Sequence, residues 1–151
     1  MNIKLDSLSP ERTFDIGNRL GQSLRGNELI LIAGDLGAGK TLMTKGIAGA
    51  LGIDPTDIVS PTFTLMNRYE GDLDGYVYHF DLYRLGEVKG QFMPELDEVV
   101  DEGLVVVEWA QFLSPQYFKG ANVISIQIET SNQDLDWRGI SIETNLEYIE
   151  I

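Results

Sequence analysis

The sequence predicts a single α/β domain over residues 1–151, a sandwich whose sheet is parallel at the centre and antiparallel at the margins. Continuous apolar runs at residues 29–33 and 104–107, within predicted strands at 28–33 and 104–108, are typical of strands that are buried on both faces of a parallel sheet. Strict alternation of apolar and polar residues at 124–129 and 140–142 indicates antiparallel strands near the end of the chain. A chain of 151 residues, 43% of them hydrophobic, is long enough to bury a core of its own.

The first third of the chain predicts a helix, a strand, a loop and a second helix. Ser9 suits the N-cap of a helix over residues 9–24, because its hydroxyl can accept from a free backbone N–H of the first turn. The first buried strand follows, and a glycine-rich loop at 34–39 comes directly after it. Residues 40–51 then show the apolar spacing of a helix, which Gly52 ends.

The middle of the chain predicts a β-hairpin and a second buried strand. Strand-like segments at 64–70 and 76–82 flank a turn that is rich in glycine and aspartate. Residues 85–103 carry a cluster of carboxylates and indicate short helical turns before the strand at 104–108. A polar turn at 131–134 separates the last two strands, which are predicted to pair with each other.

The charge and composition limit the partners that this chain can have. With 24 acidic and 11 basic residues, the net charge is −13, which repels a phosphate backbone. We therefore do not expect autonomous nucleic-acid binding; if the chain works on RNA, another protein holds it. No apolar stretch approaches the roughly 20 residues that cross a bilayer, so no membrane association is expected. The absence of cysteine and of a signal-peptide pattern predicts a cytoplasmic protein.

The glycine-rich loop carries the strongest motif in the sequence. Residues 34–41 read GDLGAGKT and fit the G-x-x-x-x-G-K-[ST] pattern of a P-loop in full. Its glycines let backbone N–H groups point at phosphate oxygens, and the following helix adds a partial positive charge. Lys40 suits the β- and γ-phosphates of a nucleotide, and the Thr41 hydroxyl suits Mg²⁺. The motif predicts binding of ATP with Mg²⁺, and hydrolysis if acidic partners lie nearby.

Two acids at strand ends are candidates for that partnership. Glu108 follows four apolar residues and Asp81 ends a predicted strand, as do acids that bind Mg²⁺ or orient the attacking water. Each could instead be an ordinary solvated carboxylate, and which of them is the metal ligand is open, although we favour Glu108. His79 is more often a structural residue in such a setting. Trp109 suits either the nucleotide site or the core.

Four segments together resemble the TsaE family, also called YjeE. These are the P-loop, residues 60–63 (SPTF), residues 79–84 (HFDLYR) and residues 107–109 (VEW), and their order and spacing match over nearly the whole chain. The resemblance implies a P-loop NTPase-like fold and an ATPase of bacterial tRNA threonylcarbamoyladenosine biosynthesis. It also implies TsaB and TsaD as partners, modification at position 37 of tRNAs that read codons beginning with A, and contact with tRNA only through that complex.

The resemblance also implies roles for individual residues. The nucleotide-binding positions are Thr13, Leu36, Gly37, Ala38, Gly39, Lys40, Thr41 and Arg138. The catalytic positions are Lys40, Thr62, Asp81 and Glu108, and the metal-binding positions are Thr41, Asp81 and Glu108. Thr62 matches a switch threonine, although by spacing alone its loop suits an ordinary turn before the hairpin.

Two other functions use the same motifs. One is a nucleotide-gated docking module in which hydrolysis is incidental. The other is a small-molecule kinase, which the sequence favours less because residues 85–103 contain Lys89 and no arginine for a lid. We expect ATP hydrolysis to be slow alone and faster with the partner complex. We also expect residues 60–70 and the acidic segment 95–102 to contribute to docking.

Overall fold

A computed structural model describes residues 1–61, 64–86, 93–120 and 122–151 of the chain. Over those residues the strands are β1 (Asn2–Ser7), β2 (Leu29–Gly34), β3 (Met66–Glu70), β4 (Tyr76–Asp81), β5 (Leu104–Glu108), β6 (Val123–Thr130) and β7 (Arg138–Thr144). The α-helices are α1 (Pro10–Gln22), α2 (Lys40–Ala50) and α3 (Pro94–Val99). In this described part of the chain, no helix combines the length and the apolar character that crossing a membrane requires.

The strands form one sheet in the order β1-β7-β6-β2-β5-β4-β3. The four central strands β6, β2, β5 and β4 run parallel to one another, while β1, β7 and β3 join antiparallel at the two margins. This confirms the predicted fold class and the predicted hairpin of β3 and β4. It corrects the interpretation of the tail in one respect, because β6 is antiparallel only to β7 and lies parallel to β2.

The edge strand β1 was not predicted from the sequence. Its half-buried apolar residues, Ile3 and Leu5, alternate with exposed polar residues, but two apolar residues in six are too short a pattern to predict a strand. The strand is held by antiparallel pairing with β7, from Asn2 opposite Glu143 to Ser7 opposite Arg138. That pairing joins residues that are far apart in the chain, so the segment itself does not reveal it.

Side chains of β2 and β5 pack on both faces of the sheet, which explains the continuous apolar runs of these two strands. Ile30 and Ile32 of β2 belong to the core beneath α1 and α2, whereas Leu29 and Leu31 belong to the core on the opposite face. That second core includes Leu96 of α3. Each strand residue therefore meets protein whichever way it points, as expected for a buried parallel sheet.

Both long helices begin where the sequence places them. Ser9 caps α1, since its hydroxyl oxygen accepts from the backbone N–H of Arg12 (3.1 Å), and the helix ends at Gln22 rather than Leu24. Helix α2 starts at Lys40, directly after the loop that follows β2. In the parallel register, Ile32 pairs with Glu108 and Asp81 pairs with Glu108. The carboxyl ends of β2, β5 and β4 thus bring the P-loop and both predicted acids to one edge.

Candidate functional site

The P-loop bends back at two glycines. Gly37 and Gly39 have φ angles of +78° and +111°, in the left-handed region that side chains with a Cβ rarely adopt. Ala38 N–H donates to the Asp35 carbonyl (3.0 Å), which closes the turn. The predicted strand–loop–helix context of the motif is confirmed, and helix α2 directs its free N–H groups toward the loop.

Lys40 is buried at the base of this loop. Its Nζ donates to the carbonyls of Gly34 (2.9 Å) and Asp35 (2.7 Å) and lies 3.9 Å from the centre of the Trp109 ring. Burial lowers the pKa of Lys40, and the negative charges of Glu108, Asp81 and Asp35 oppose that shift in this order. A desolvated ammonium with acidic neighbours suits the charge of a nucleotide phosphate.

Glu108 connects the strand edge to the helix that follows the P-loop. Its side chain is 2% exposed and accepts at both oxygens. Oε1 accepts from the Thr41 hydroxyl (2.7 Å), and Oε2 accepts from the Thr44 hydroxyl (3.1 Å) and contacts Nε2 of His79. The predicted metal threonine and the predicted Walker-type acid therefore lie within one hydrogen bond of each other.

Asp81 lies beside Glu108 on the neighbouring strand and is half-buried. Its Oδ1 accepts from the backbone N–H of Tyr83 (2.9 Å). Both acids, together with Lys40 and Thr41, line a cavity of about 350 Å³ against the P-loop. The structure thus brings these four predicted site residues together around one opening.

The oxygen donors of this cavity suit Mg²⁺. Within the described ranges no group of three or more His, Cys, Asp or Glu side chains could enclose a metal ion. Mg²⁺ does not require one, because it commonly takes one or two carboxylates, a hydroxyl, phosphate oxygens and retained water. Thr41, Asp81 and Glu108 offer a hydroxyl and two carboxylates of that kind. The residues present therefore fit the ion.

Thr13 and Arg138 lie on the other side of the P-loop, beside a second cavity of about 180 Å³. Arg138 donates from Nε to the carbonyl of Ala38 (3.0 Å) and from Nη2 to that of Gly37 (3.2 Å). Thr13 is buried, with its hydroxyl 2.8 Å from that of Ser7. Both are close enough to contribute to a nucleotide site, and Arg138 also fixes the shape of the loop.

Three contacts at the site were not predicted from the sequence, and two residues named in the sequence analysis lie outside the described ranges. Thr44 reaches Glu108 and Ser60 reaches Thr41 (Oγ to Oγ1, 3.2 Å), while the Gln111 side chain brackets the end of β2 by donating to the Gly34 carbonyl (2.8 Å). The spacing of Thr44, three residues after Thr41, was the signal available, since such positions share a helix face. The predicted switch Thr62 lies outside the described residues, as does Lys89, the basic residue of segment 85–103.

The structure shows where Trp109 and His79 lie, two residues whose positions the sequence left open. Trp109 lies at the cavity, above the Lys40 ammonium, and stacks on Phe112 with ring centres 5.4 Å apart. Its φ angle of +60° is unusual for a large side chain. His79 is fully buried and bonded, as a structural residue would be, yet its partner is the site carboxylate Glu108.

Comparisons with known proteins agree with the motifs. Residues 7–139 match the family model described as threonylcarbamoyl adenosine biosynthesis protein TsaE. A protein of that name from Aquifex aeolicus is 42% identical over 106 residues, covering 68% of this chain and 73% of the relative. One from Rickettsia conorii is 35% identical over 105 residues, and the match covers 70% of this chain but only 59% of the relative. The crystal structure of Bacillus subtilis YdiB superimposes with a TM-score of 0.67 at 29% identity, covering 94% of this chain and 84% of that one.

Proposed function

The chain belongs to the TsaE family of tRNA threonylcarbamoyladenosine biosynthesis, and we propose that it serves that pathway as a Mg²⁺-dependent ATPase. It hydrolyses ATP to ADP and phosphate in the cytoplasm and supports TsaB and TsaD in modifying position 37 of tRNAs that read ANN codons. The observation that carries the proposal is the 2.7 Å contact between the Thr41 hydroxyl and Glu108 at the head of the P-loop. A phosphate-bound metal needs such a hydroxyl and acid side by side.

The residues of the cavity divide the work of hydrolysis between phosphate binding and water orientation. P-loop N–H groups, from Leu36 to Gly39, hold the phosphates, and Lys40 exchanges its carbonyl partners for β- and γ-phosphate oxygens. Thr41, Glu108 and Asp81 would hold Mg²⁺, which when bound would supply positive charge to the phosphate site. Glu108, already bonded to Thr41, is placed for the metal side, and the more exposed Asp81 is placed to orient water.

The bond changes follow from this placement. A water oxygen forms a bond to the γ-phosphorus while the bond from that phosphorus to the β–γ bridging oxygen breaks, and the water proton passes to solvent or phosphate. ADP leaves with the bridging oxygen. The chain contributes mainly orientation and charge neutralisation rather than covalent chemistry. The adenosine lies toward the second cavity, beside Thr13 and Arg138.

A partner complex is expected to accelerate the reaction. Arg138, which lies beside the P-loop, uses its guanidinium to donate to backbone carbonyls of that loop and of residues 135 and 137. The isolated chain therefore hydrolyses ATP slowly. Its charge of −13 also favours a role in which TsaB and TsaD, rather than this chain, hold the tRNA.

Phosphate release from Mg·ATP, measured for the purified protein alone and with TsaB and TsaD added, tests the proposal. We expect strong stimulation by the pair and its loss in Lys40→Ala. Tight nucleotide binding without any stimulation would retain the P-loop but reject the proposed role with these partners. Rapid hydrolysis by the isolated chain would contradict the need for a partner.

The variant Glu108→Gln distinguishes the proposed ATPase from the alternative, a nucleotide-gated docking module. The amide keeps the size of the side chain and can still bond Thr41, but it removes the charge that metal and water require. If ATP binding and complex assembly persist while tRNA modification stops after one round, hydrolysis is the function. If modification continues over many rounds, ATP acts only as a docking signal and the proposed ATPase role is wrong.

A further inference from the structure

The only histidine of the chain is buried against the carboxylate at the centre of the site. His79 lies on β4, two residues before Asp81, with no exposed surface. Its Nε2 contacts Oε2 of Glu108, whereas its Nδ1 has no hydrogen-bond partner among the described residues. Because a carboxylate oxygen can only accept, the contact requires a proton on Nε2, which the ring donates to Glu108. A buried N–H without an acceptor is costly, so Nδ1 is the less favourable place for the ring proton.

The contacts make the two oxygens of Glu108 unequal. Oε2 faces the interior, where it meets His79 and the hydroxyl of Thr44. Oε1 faces the cavity, where it meets the hydroxyl of Thr41. The Thr44 hydroxyl is also 3.0 Å from the Lys40 carbonyl, so its single proton is shared between two acceptors. Of the two described residues that contact Oε2, His79 is the one whose proton is not shared with a second acceptor.

We propose that His79 is a positioning residue that fixes the rotation of the Glu108 carboxylate, so that Oε1 is presented to Thr41 and to the metal side of the cavity. The catalytic consequence rests on the proposed ATPase function, whereas the position of the ring proton does not. Without the Nε2 donor, rotation about the terminal torsion of Glu108 is restrained only by hydroxyl groups, and that torsion is intrinsically broad.

A pair of amide variants separates positioning from packing. In His79→Gln the amide nitrogen can occupy the place of Nε2, whereas in His79→Asn it falls short, near the place of Nδ1. Asparagine and glutamine carry the same neutral amide, so the two variants differ mainly in how far the amide extends from the backbone. We expect His79→Asn to lower kcat about tenfold or more, the effect of one lost charge-assisted hydrogen bond, with little change in the KM for ATP. His79→Gln should recover most of that loss.

Equal kcat values for the two amide variants would overturn the proposal, whether both were active or both inactive. A loss in His79→Asn that appeared only in KM would also contradict it, since positioning of the acid acts on the chemical step. If the wild-type protein hydrolyses no ATP in the same assay, the proposed function fails instead. The position of the ring proton in the wild-type protein, and its response to Mg²⁺ and ADP, then replace kcat as the readout.

A spectroscopic measurement on the wild-type protein avoids variants that fold poorly. Because the chain has one histidine, a long-range ¹H–¹⁵N spectrum shows one imidazole. We expect the Nε2–H tautomer in the nucleotide-free protein, and a change of its signals when Mg²⁺ and ADP are added together. ADP without Mg²⁺ should change them much less. A ring protonated on Nδ1 alone, or signals indifferent to Mg²⁺, would refute the assigned role.

Discussion

Gly46 of α2 touches the backbone of α1, and we expect Gly46→Ala to destabilise the fold. A Cβ at this position would lie 2.2 Å from the carbonyl oxygen of Phe14 and 3.0 Å from the backbone nitrogen of Asn18. The opposing Gly17 is equally tight, because its Cβ would be 2.5 Å from the carbonyl oxygen of Met43. The neighbouring atoms are backbone, so the two helices must move apart by about 1 Å to restore ordinary contact.

The size of the effect follows from two opposing contributions. Overpacking of this kind lowers the free energy of unfolding by about 1–3 kcal/mol or more. Replacing glycine by alanine inside a helix raises it by up to about 1 kcal/mol, because alanine has the higher helix propensity. Since rigid backbone on both sides prevents local relief, we expect a net loss of about 2 kcal/mol. For a domain of this size, that corresponds to a decrease in Tm of roughly 6 °C.

Urea unfolding followed by far-UV circular dichroism measures this difference, and Gly49→Ala is the matched control. Gly49 lies on the same helix, but its Cβ would meet only side-chain atoms, 3.3 Å from Pro55 and 3.5 Å from Phe14. We expect that variant to be unchanged or stabilised by up to about 1 kcal/mol. Equal stability of the two alanine variants would refute the inference that close helix packing at Gly46 is essential.

Three further outcomes follow from single contacts. Because Arg138 donates to two P-loop carbonyls, we expect Arg138→Ala to weaken ATP binding by about tenfold in calorimetry, and unchanged affinity would contradict its bracing role. Burial lowers the pKa of Lys40 below 10.5, so between the folded and unfolded pKa values the unfolded chain binds more protons and the stability contributed by this group rises with pH. Lys40→Met should flatten that rise when Tm is measured against pH. Equal slopes for the two proteins would contradict the role of Lys40 in it. Burial and the bond to Glu28 raise the pKa of Tyr148 from 10.0 to about 12, so its contribution is lost as the pH rises through that range. Tyr148→Phe should cost about 1 kcal/mol in neutral denaturation experiments and remove that alkaline decline, whereas a decline of the same size in the variant would assign it to other groups.

Features that depend only on neighbouring residues could be predicted from the sequence. The P-loop could be recognised because glycine, lysine and threonine act through backbone geometry and reach that are set within eight residues. The N-cap at Ser9 is similarly local. Strands β2 and β5 were predictable because each has a core on both faces, and that requirement excludes polar residues from the run. Glu108 was recognisable because it ends such a run, whereas Asp81 was recognised only as the acid that ends an alternating strand.

Local residue patterns were therefore enough to predict the strand–loop–helix unit, the fold class and the residue types at the site. They did not predict that β6 runs parallel to β2, that β1 joins the sheet, or that Glu108 contacts Thr41, Thr44 and His79. These facts depend on strand register and on contacts between residues far apart in the chain. These pairings and contacts are stabilised by the burial of whole faces of helices and strands against one another. That free energy depends on several segments together, so it cannot be inferred from any one of them.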